Sequence, residues 1–247
     1  MDLKVKQLRW NRWNKCSLCE QQYHGVVYCA LGWACWKTYL GRPEGDMARS
    51  MAMSLLVGGL SAAGHHAYAL AVQEAELAMM RRLGATEKQL LNVQGNLAVT
   101  YNQLGRADAA LSITRDVYSG MLKLNGEEHF ETLAAALNYA VSLGQLQHFE
   151  EAKALFRKMI PVARRVLGES SDLTLRMEWI YGEALYKDPA ATLDDLREAV
   201  TTLEDTKRIR RRVFGSDHPF TTAIESDLQS ARVALRACEA PPPPRGA

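Results

Sequence analysis

Apolar side chains in the middle of this chain return at intervals of three and four. Leu97, Tyr101 and Leu104 form one set, and after Gly105 come Leu111, Ile113, Val117 and Leu122. Such spacing puts each set on one face of a helix, so the segment predicts two amphipathic helices joined by a turn. The pattern recurs in a frame set by glycine: Arg81-Arg82-Leu83-Gly84, Lys123-Leu124-Asn125-Gly126, Arg165-Val166-Leu167-Gly168 and Arg212-Val213-Phe214-Gly215. These glycines are spaced by 42, 42 and 47 residues, and self-similarity at such a period is the signature of a repeat architecture.

Interior positions match in the same frame. Asn96-Leu97-Ala98 falls on Asn138-Tyr139-Ala140, Leu104 on Leu146, and Ala110 on Ala152 and Ala199. A weaker copy precedes these, with Gly64 on Gly105 and Ala69 on Ala110. The five extra residues of the longest unit are expected in a loop near Lys187-Asp188-Pro189-Ala190, because proline ends a helix. Bases precede each closing glycine and acids follow it, as in Gly126-Glu-Glu-His129, the charge order of one helix ending and the next beginning. Pro219 suits a first helical turn. Small residues at Ala98, Ala110, Ala140 and Ala152 let paired helices approach closely. One pair cannot bury its own apolar faces, so the copies must stack: about four helix pairs and a closing helix.

The Asn-Leu-Ala segment, a turn, an acidic stretch ending in alanine, Arg-Arg-Val-Leu-Gly and Gly-x-x-His-x-x-Thr together resemble the kinesin light chain class of tetratricopeptide repeats, over about Asp46 to Ala237. The resemblance implies an all-α, right-handed α-solenoid and a scaffold that binds linear segments of partner proteins in a groove formed by the first helix of each pair. The chain departs from the pattern at Gln147, where the turn glycine would fall. No long heptad segment of the kind that would bind a motor heavy chain is present. By the resemblance, the groove positions are Asn96 and Asn138, with Asn92, Val99, Asn102 and Gln103 beside the first and Ala134, Val141 and Gln145 beside the second. The equivalent positions in the other copies are Leu55, Ile180 and Asp227, so a complete asparagine ladder is absent.

Composition narrows the function classes. Thirty Lys and Arg against 28 Asp and Glu leave +2, far from the excess of a protein that coats a nucleic-acid backbone. Between Arg49 and Glu74 no Asp, Glu, Lys or Arg occurs, but Gly58, Gly59, Gly64, His65 and His66 interrupt the stretch where a helix-helix turn is expected, so no membrane insertion is predicted. The amino terminus lacks the apolar core of a secretory signal, and the cysteine usage suits a reducing compartment; both place the chain in the cytoplasm. No Gly-rich phosphate loop, Gly-x-Ser-x-Gly or His-Glu-x-x-His occurs, and no catalytic constellation is visible. The reading is therefore non-enzymatic. His129 and His218 share a repeat position at helix starts, where capping is favoured, and the basic run Lys207 to Arg212 reads as a solvated helix end.

Residues 1–44 stand apart as a Cys- and Trp-rich cap before the repeats at 45–237, and residues 238–247, with Pro241 to Pro244, read as an extended tail. Cys16-Ser-Leu-Cys19 has the spacing of half a tetrahedral zinc site, with His24, Cys29 and Cys35 to complete it. In a continuous helix Cys29 and Cys35 would point about 240° apart, so both ligate only if the helix breaks, for which Gly32 is placed. The competing reading is a set of reduced thiols packed with Trp33, Trp36 and Tyr39. No cofactor is required; a structural zinc is the one metal the cluster would suit, leaving no open catalytic position. A zinc module that itself recognises the target is the alternative to the groove.

Overall fold

The computed structural model describes residues 10–216 and 218–239, and within them every regular element is helical: α1 (Gly25–Tyr39), α2 (Met47–Ala62), α3 (His66–Arg82), α4 (Glu87–Gln103), α5 (Ala107–Asn125), α6 (Phe130–Gln145), α7 (Phe149–Leu167), α8 (Asp172–Lys187), α9 (Leu193–Phe214) and α10 (Pro219–Glu239). In the first unit α1 packs on α2, α2 on α3 and α3 on α4; in the second α6 packs on α7, α7 on α8, α8 on α9 and α9 on α10. The helices expected for four pairs and a single last helix are all present among the described residues. The Pro-rich tail lies outside the described residues.

Helix starts follow from local chemistry. The Asp46 carboxylate accepts the Ala48 N–H at 2.8 Å, and reciprocal capping boxes join Thr86 to Gln89 and Thr192 to Asp195. His129 and His218 cap as their position suggests: each ring Nδ1 accepts a backbone N–H, from Glu131 and Phe220, at 3.3 Å. At the helix ends, Gly168 (φ 86°, ψ 158°) and Gly215 (φ 91°, ψ 164°) occupy a region essentially closed to residues with a Cβ. Gln147 adopts φ 60° at the position of a turn glycine, so the departure seen in the sequence changes the residue and keeps the conformation. The five extra residues of the fourth unit are divided. The connection from α8 to α9 spans 188–192 where that from α6 to α7 spans 146–148, and α9 has 22 residues where α7 has 19. Part of the insertion is therefore helical, because Thr192 and Asp195 supply a cap that starts α9 early.

The chain divides into two units, Met1–Ile113 and Thr114–Ala247. In the first, α1 crosses α2 very closely. A Cβ on Gly59 would lie 2.8 Å from Cys29 Cα and from the Tyr28 carbonyl oxygen, and one on Gly32 would lie 3.0 Å from Leu55 O and Leu56 Cα. Gly58 and Gly59 therefore sit inside a continuous helix, not in the expected turn, which Gly64 and His65 make. Both glycines facing this crossing serve its close approach. Among the described residues no helix is long and apolar enough to cross a membrane. Deeper in this unit Leu70, Leu77, Val93 and Leu97 form a core joined by Tyr101 and Leu104. Glu76 on α3 is buried, and burial pushes its carboxyl up to about 7, opposed only by a hydrogen bond from Ser54 Oγ of α2 at 3.4 Å.

In the second unit Leu133, Phe156, Met159, Met177, Leu185, Leu203, Ile224 and Leu228 form one core. The stretched fourth repeat is pinned by a buried lysine. Lys153 Nζ lies 2.7 Å from Asp188 and 2.6 Å from Glu150, with Asp195 at 4.0 Å. Burial works against this ammonium, but the surrounding carboxylates outweigh it and hold Lys153 above the usual lysine value. Arg210 is wholly buried, its guanidinium 4.8 Å from the Phe214 ring centre and 5.1 Å from that of Phe220, and it donates to Asp172 at 3.0 Å.

Two expectations follow for stability. Gln147→Gly relieves a left-handed side-chain conformation and is expected to stabilise by about 0.5–1 kcal/mol, whereas Gly168→Ala is expected to cost about 1–3 kcal/mol, both read from urea denaturation. For Glu76 the folded value lies above the unfolded one, so its contribution favours folding below about pH 4.5 and is lost as pH rises through about 7. Glu76→Gln is accordingly expected to raise thermal stability at pH 8, by at most about 3 kcal/mol, with little gain near pH 5. An equal effect at both pH values would contradict the burial argument.

Candidate functional site

In the first unit, the α4 residues Asn92, Asn96, Val99 and Gln103 are all exposed and follow one another at helical spacing. They form a single stripe, with Asn102 half-buried beside it. The opposite face of α4 holds Leu91, Val93, Leu97 and Ala98 in the interior. Side-chain amides are therefore presented outward because the apolar face is used up inside. Tyr101 borders the stripe and its hydroxyl donates to Glu74 at 3.3 Å.

In the second unit a cleft opens between α6 and α8, about 310 Å³ in volume. Ala140 and Ala184 are buried at its floor, Val141 and Ile180 form its apolar walls, and Gln145, Glu183 and Lys187 stand at its rim. Glu183 and Lys187 are ion-paired one helical turn apart. Of the sequence-derived positions here, Val141 and Gln145 line the cleft and Asn138 does not. Asn138 is half-buried, one turn nearer the α6 amino end, and its carbonyl accepts the Ser142 hydroxyl at 3.1 Å. Ile180, known from the sequence only as a gap in the asparagine series, is a wall of the cleft, while Glu183 and Lys187 carried no periodic signal at all.

Asp227, the last position of that series, is already engaged. It accepts the Trp179 indole N–H at 2.6 Å and the Tyr186 hydroxyl at 2.7 Å, docking α10 on α8. Burial, reinforced by Asp227, pushes the Tyr186 phenol well above its ordinary value. The partners are 48 and 41 residues away in the chain, so no local pattern betrays the contact.

The cysteine cluster separates into two environments. Among the described residues no three of His, Cys, Asp and Glu stand together as a metal site, and Cys16, Cys19, His24, Cys29 and Cys35 are not gathered into one cluster. The reason is the helix. α1 runs unbroken through Gly32, so Cys29 and Cys35 keep their divergent directions. Cys35 is fully buried with Ala52 and Leu55 among Trp10, Trp13, Tyr28, Trp36 and Tyr39, and burial pushes its thiol up to about 11. Cys29 packs toward Leu56, Leu60 and Ala69. Trp33, grouped in the sequence with the packed aromatics, is exposed. Cys16 and Cys19 instead lie in a hairpin closed by the Lys15–Gln22 bridge. There the backbone N–H groups of Cys19 and Leu18 donate to Cys16, and with the Cys19 thiol and the Tyr23 hydroxyl they hold it below the usual thiol value.

Residues 89–165 and 191–220 match the tetratricopeptide repeat. No curated protein matches the sequence. Among solved structures the chain is similar to BtubC (BKLC) from P. vanneervenii, with 17% identity over 90% of this chain and 95% of that one and a TM-score of 0.63. It is also similar to a putative kinesin light chain with nearly identical TPR-like repeats from Podosopora anserina, with 19% identity over 75% and 86% of the two chains and a TM-score of 0.58. A third likeness is to the apo form of RapI, 11% identical over 96% of this chain and 89% of that one, with a TM-score of 0.56. At these identities the likeness shows the fold alone, an all-helical fold of tetratricopeptide type, with the repeat itself matched over 89–165 and 191–220.

Because Cys35 belongs to the core, Cys35→Ser is expected to lower stability by about 1–3 kcal/mol through a buried hydroxyl, while the zinc-to-protein ratio by elemental analysis stays at the wild-type value. A drop in that ratio would return Cys35 to a ligand set.

Proposed function

We propose that this chain is a non-enzymatic protein-protein interaction scaffold that holds a linear segment of another protein on the first helices of its repeats. The observation that carries the reading is the α6–α8 cleft, in which apolar walls at Val141 and Ile180 meet the side-chain amide of Gln145 and the Glu183/Lys187 pair. An extended segment offers an apolar side chain and a backbone amide at short spacing, and such a cleft provides for both. The exposed α4 stripe of Asn92, Asn96, Val99 and Gln103 repeats that chemistry in the other unit. Near-neutral net charge supports proteins over nucleic acid as partners, and four of the five cysteines lying within Cys16–Cys35, unlike a disulfide framework spread over a secreted fold, suit a reducing compartment such as the cytoplasm.

Affinity capture with wild type, with Gln145→Ala plus Ile180→Ser and with Asn96→Ala plus Asn138→Ala tests the assignment, with circular dichroism to confirm folding. The cleft variant is expected to lose partners by about tenfold, a loss of the size usual for one buried contact, and the asparagine variant to lose fewer. Identical partner sets from all three proteins would sink the groove.

A second reading, of a zinc-containing adaptor, is supported by the amides donating to Cys16 in the Cys16–Cys19 hairpin, which favour a thiolate as a metal ligand requires. Two ligands would still have to come from elsewhere. Removing residues 1–44 is a poor discriminator, since it strips α1 from Leu55 and Leu56. Cys16→Ser with Cys19→Ser leaves α1 in place: under the scaffold reading partners are retained, and under the adaptor reading they are lost.

A further inference from the structure

The junction of α9 with α10 differs electrostatically from the one before it. In the α7/α8 junction Arg164, four residues before Gly168, donates to Glu178, ten residues after it, at 2.7 Å, and Glu178 is buried. The matching pair in the last junction is Arg211 and Glu225. There Glu225 is taken by Lys207, which stands where the earlier copy has the buried Ile160. Arg211 is left over. Arg232 is paired with Glu204 and Arg208 with Asp205, each at 2.6 Å. Arg236 has no carboxylate at ion-pairing distance among the described residues, and neither has Arg211.

These side chains line one open depression. Two adjoining cavities of about 300 and 280 Å³ share Lys207, Leu228 and Arg232; Arg236 and Val233 border one and Arg211 and Arg208 the other. Five bases and two carboxylates, Glu204 and Glu225, surround it. With Asp205, the partner of Arg208, also counted, a local excess of two positive charges is concentrated in one groove of a chain whose net charge is +2. Its apolar part is small: Leu228 is buried beneath it and Val233 is 60% exposed at its edge.

We propose that the α9–α10 groove is a second docking surface, separate from the α6–α8 cleft, and that its occupant is an acidic linear segment of a partner protein. Carboxylates of that segment pair with Arg211 and Arg236, the two guanidiniums left without a carboxylate at ion-pairing distance among the described residues, Arg211 keeping only a longer-range attraction to Glu225, and one aliphatic side chain lies over Leu228 against Val233. Guanidinium suits this task because its planar fork meets a carboxylate with two parallel hydrogen bonds. Fields of this kind raise the encounter rate with an acidic partner and reject a basic one.

The probe is a fluorescein-labelled glutamate-rich peptide with one central leucine, titrated with the full chain by anisotropy at low and high sodium chloride. Saturable binding is expected, weakened by salt and weakened at least about tenfold by Arg211→Glu with Arg236→Glu. Both positions are exposed, so the variant is expected to melt like wild type. Gln145→Ala with Ile180→Ser is expected to leave this probe bound, which separates the groove from the cleft. Equal binding by the charge-reversed protein would overturn the proposal, as would absence of saturable binding by wild type. A thymidine oligonucleotide of matched charge that binds more tightly, with the same loss on charge reversal, would overturn the assignment to an acidic protein segment.

Discussion

Small side chains recur at fixed register positions inside the helix packing of this chain, and the close approach they allow organises the rest. Ala69, Ala98, Ala110, Ala140, Ala152 and Ala199 are all at 1% exposure or less. A second register position, sixteen residues after each closing glycine, carries Thr100, Ser142, Ala184 and Ala231, with Gly59 in the weaker first copy. Around these points Leu97 is buried in the core of the first unit and Phe156, Met177 and Leu203 in that of the second, and such burial is the main favourable term of the fold. Where the small residue is polar, its hydroxyl turns back on its own helix. Thr100 Oγ1 donates to the Asn96 carbonyl at 3.4 Å and Ser142 Oγ to the Asn138 carbonyl at 3.1 Å, so neither is buried without a partner.

The same constraint decides where charge is buried. A fourth unit longer than its neighbours must still bring Ala199 against the preceding helices, and the connection that allows this is held by Lys153 on Asp188, with Asp188 also accepting the Ala190 N–H at 2.9 Å. Such a pair contributes less by attraction than by the large cost of removing one member, since that would leave a buried charge alone. Arg210 solves a similar problem at the last junction, replacing water with two aromatic faces and one carboxylate. Charge buried inside each junction leaves the remaining charge outside it, and at the end of the series the balance is uneven: Lys207 takes the partner that Arg211 would have had.

The cap obeys the rule in another way. α1 reaches α2 through Gly32 and Gly59 and seals Leu55, Ala52 and Cys35 under tryptophan and tyrosine rings. Cysteine there acts as a small apolar side chain. The hairpin before it is of a different character, with Cys19 exposed and backbone amides aimed at Cys16. One short segment thus contains two kinds of cysteine that differ by what surrounds them.

By itself the sequence determined the helical repeat, its 42-residue period, the glycine ends, the capping histidines and the outward face of α4, because all of these follow from interactions within a few residues along the chain. Gln147 in a glycine's conformation and the cap that lengthens α9 were beyond that reach only in detail. What tertiary structure alone decided lies between helices tens of residues apart. It withdrew Asp227 from the groove series by giving it Trp179 and Tyr186, placed Ile180, Glu183 and Lys187 with Val141 and Gln145 in one cleft, and separated Cys35 from Cys16. Periodicity says which face of a helix turns inward; which residue of another helix it then meets depends on how closely the backbones approach, and that distance is set by packing.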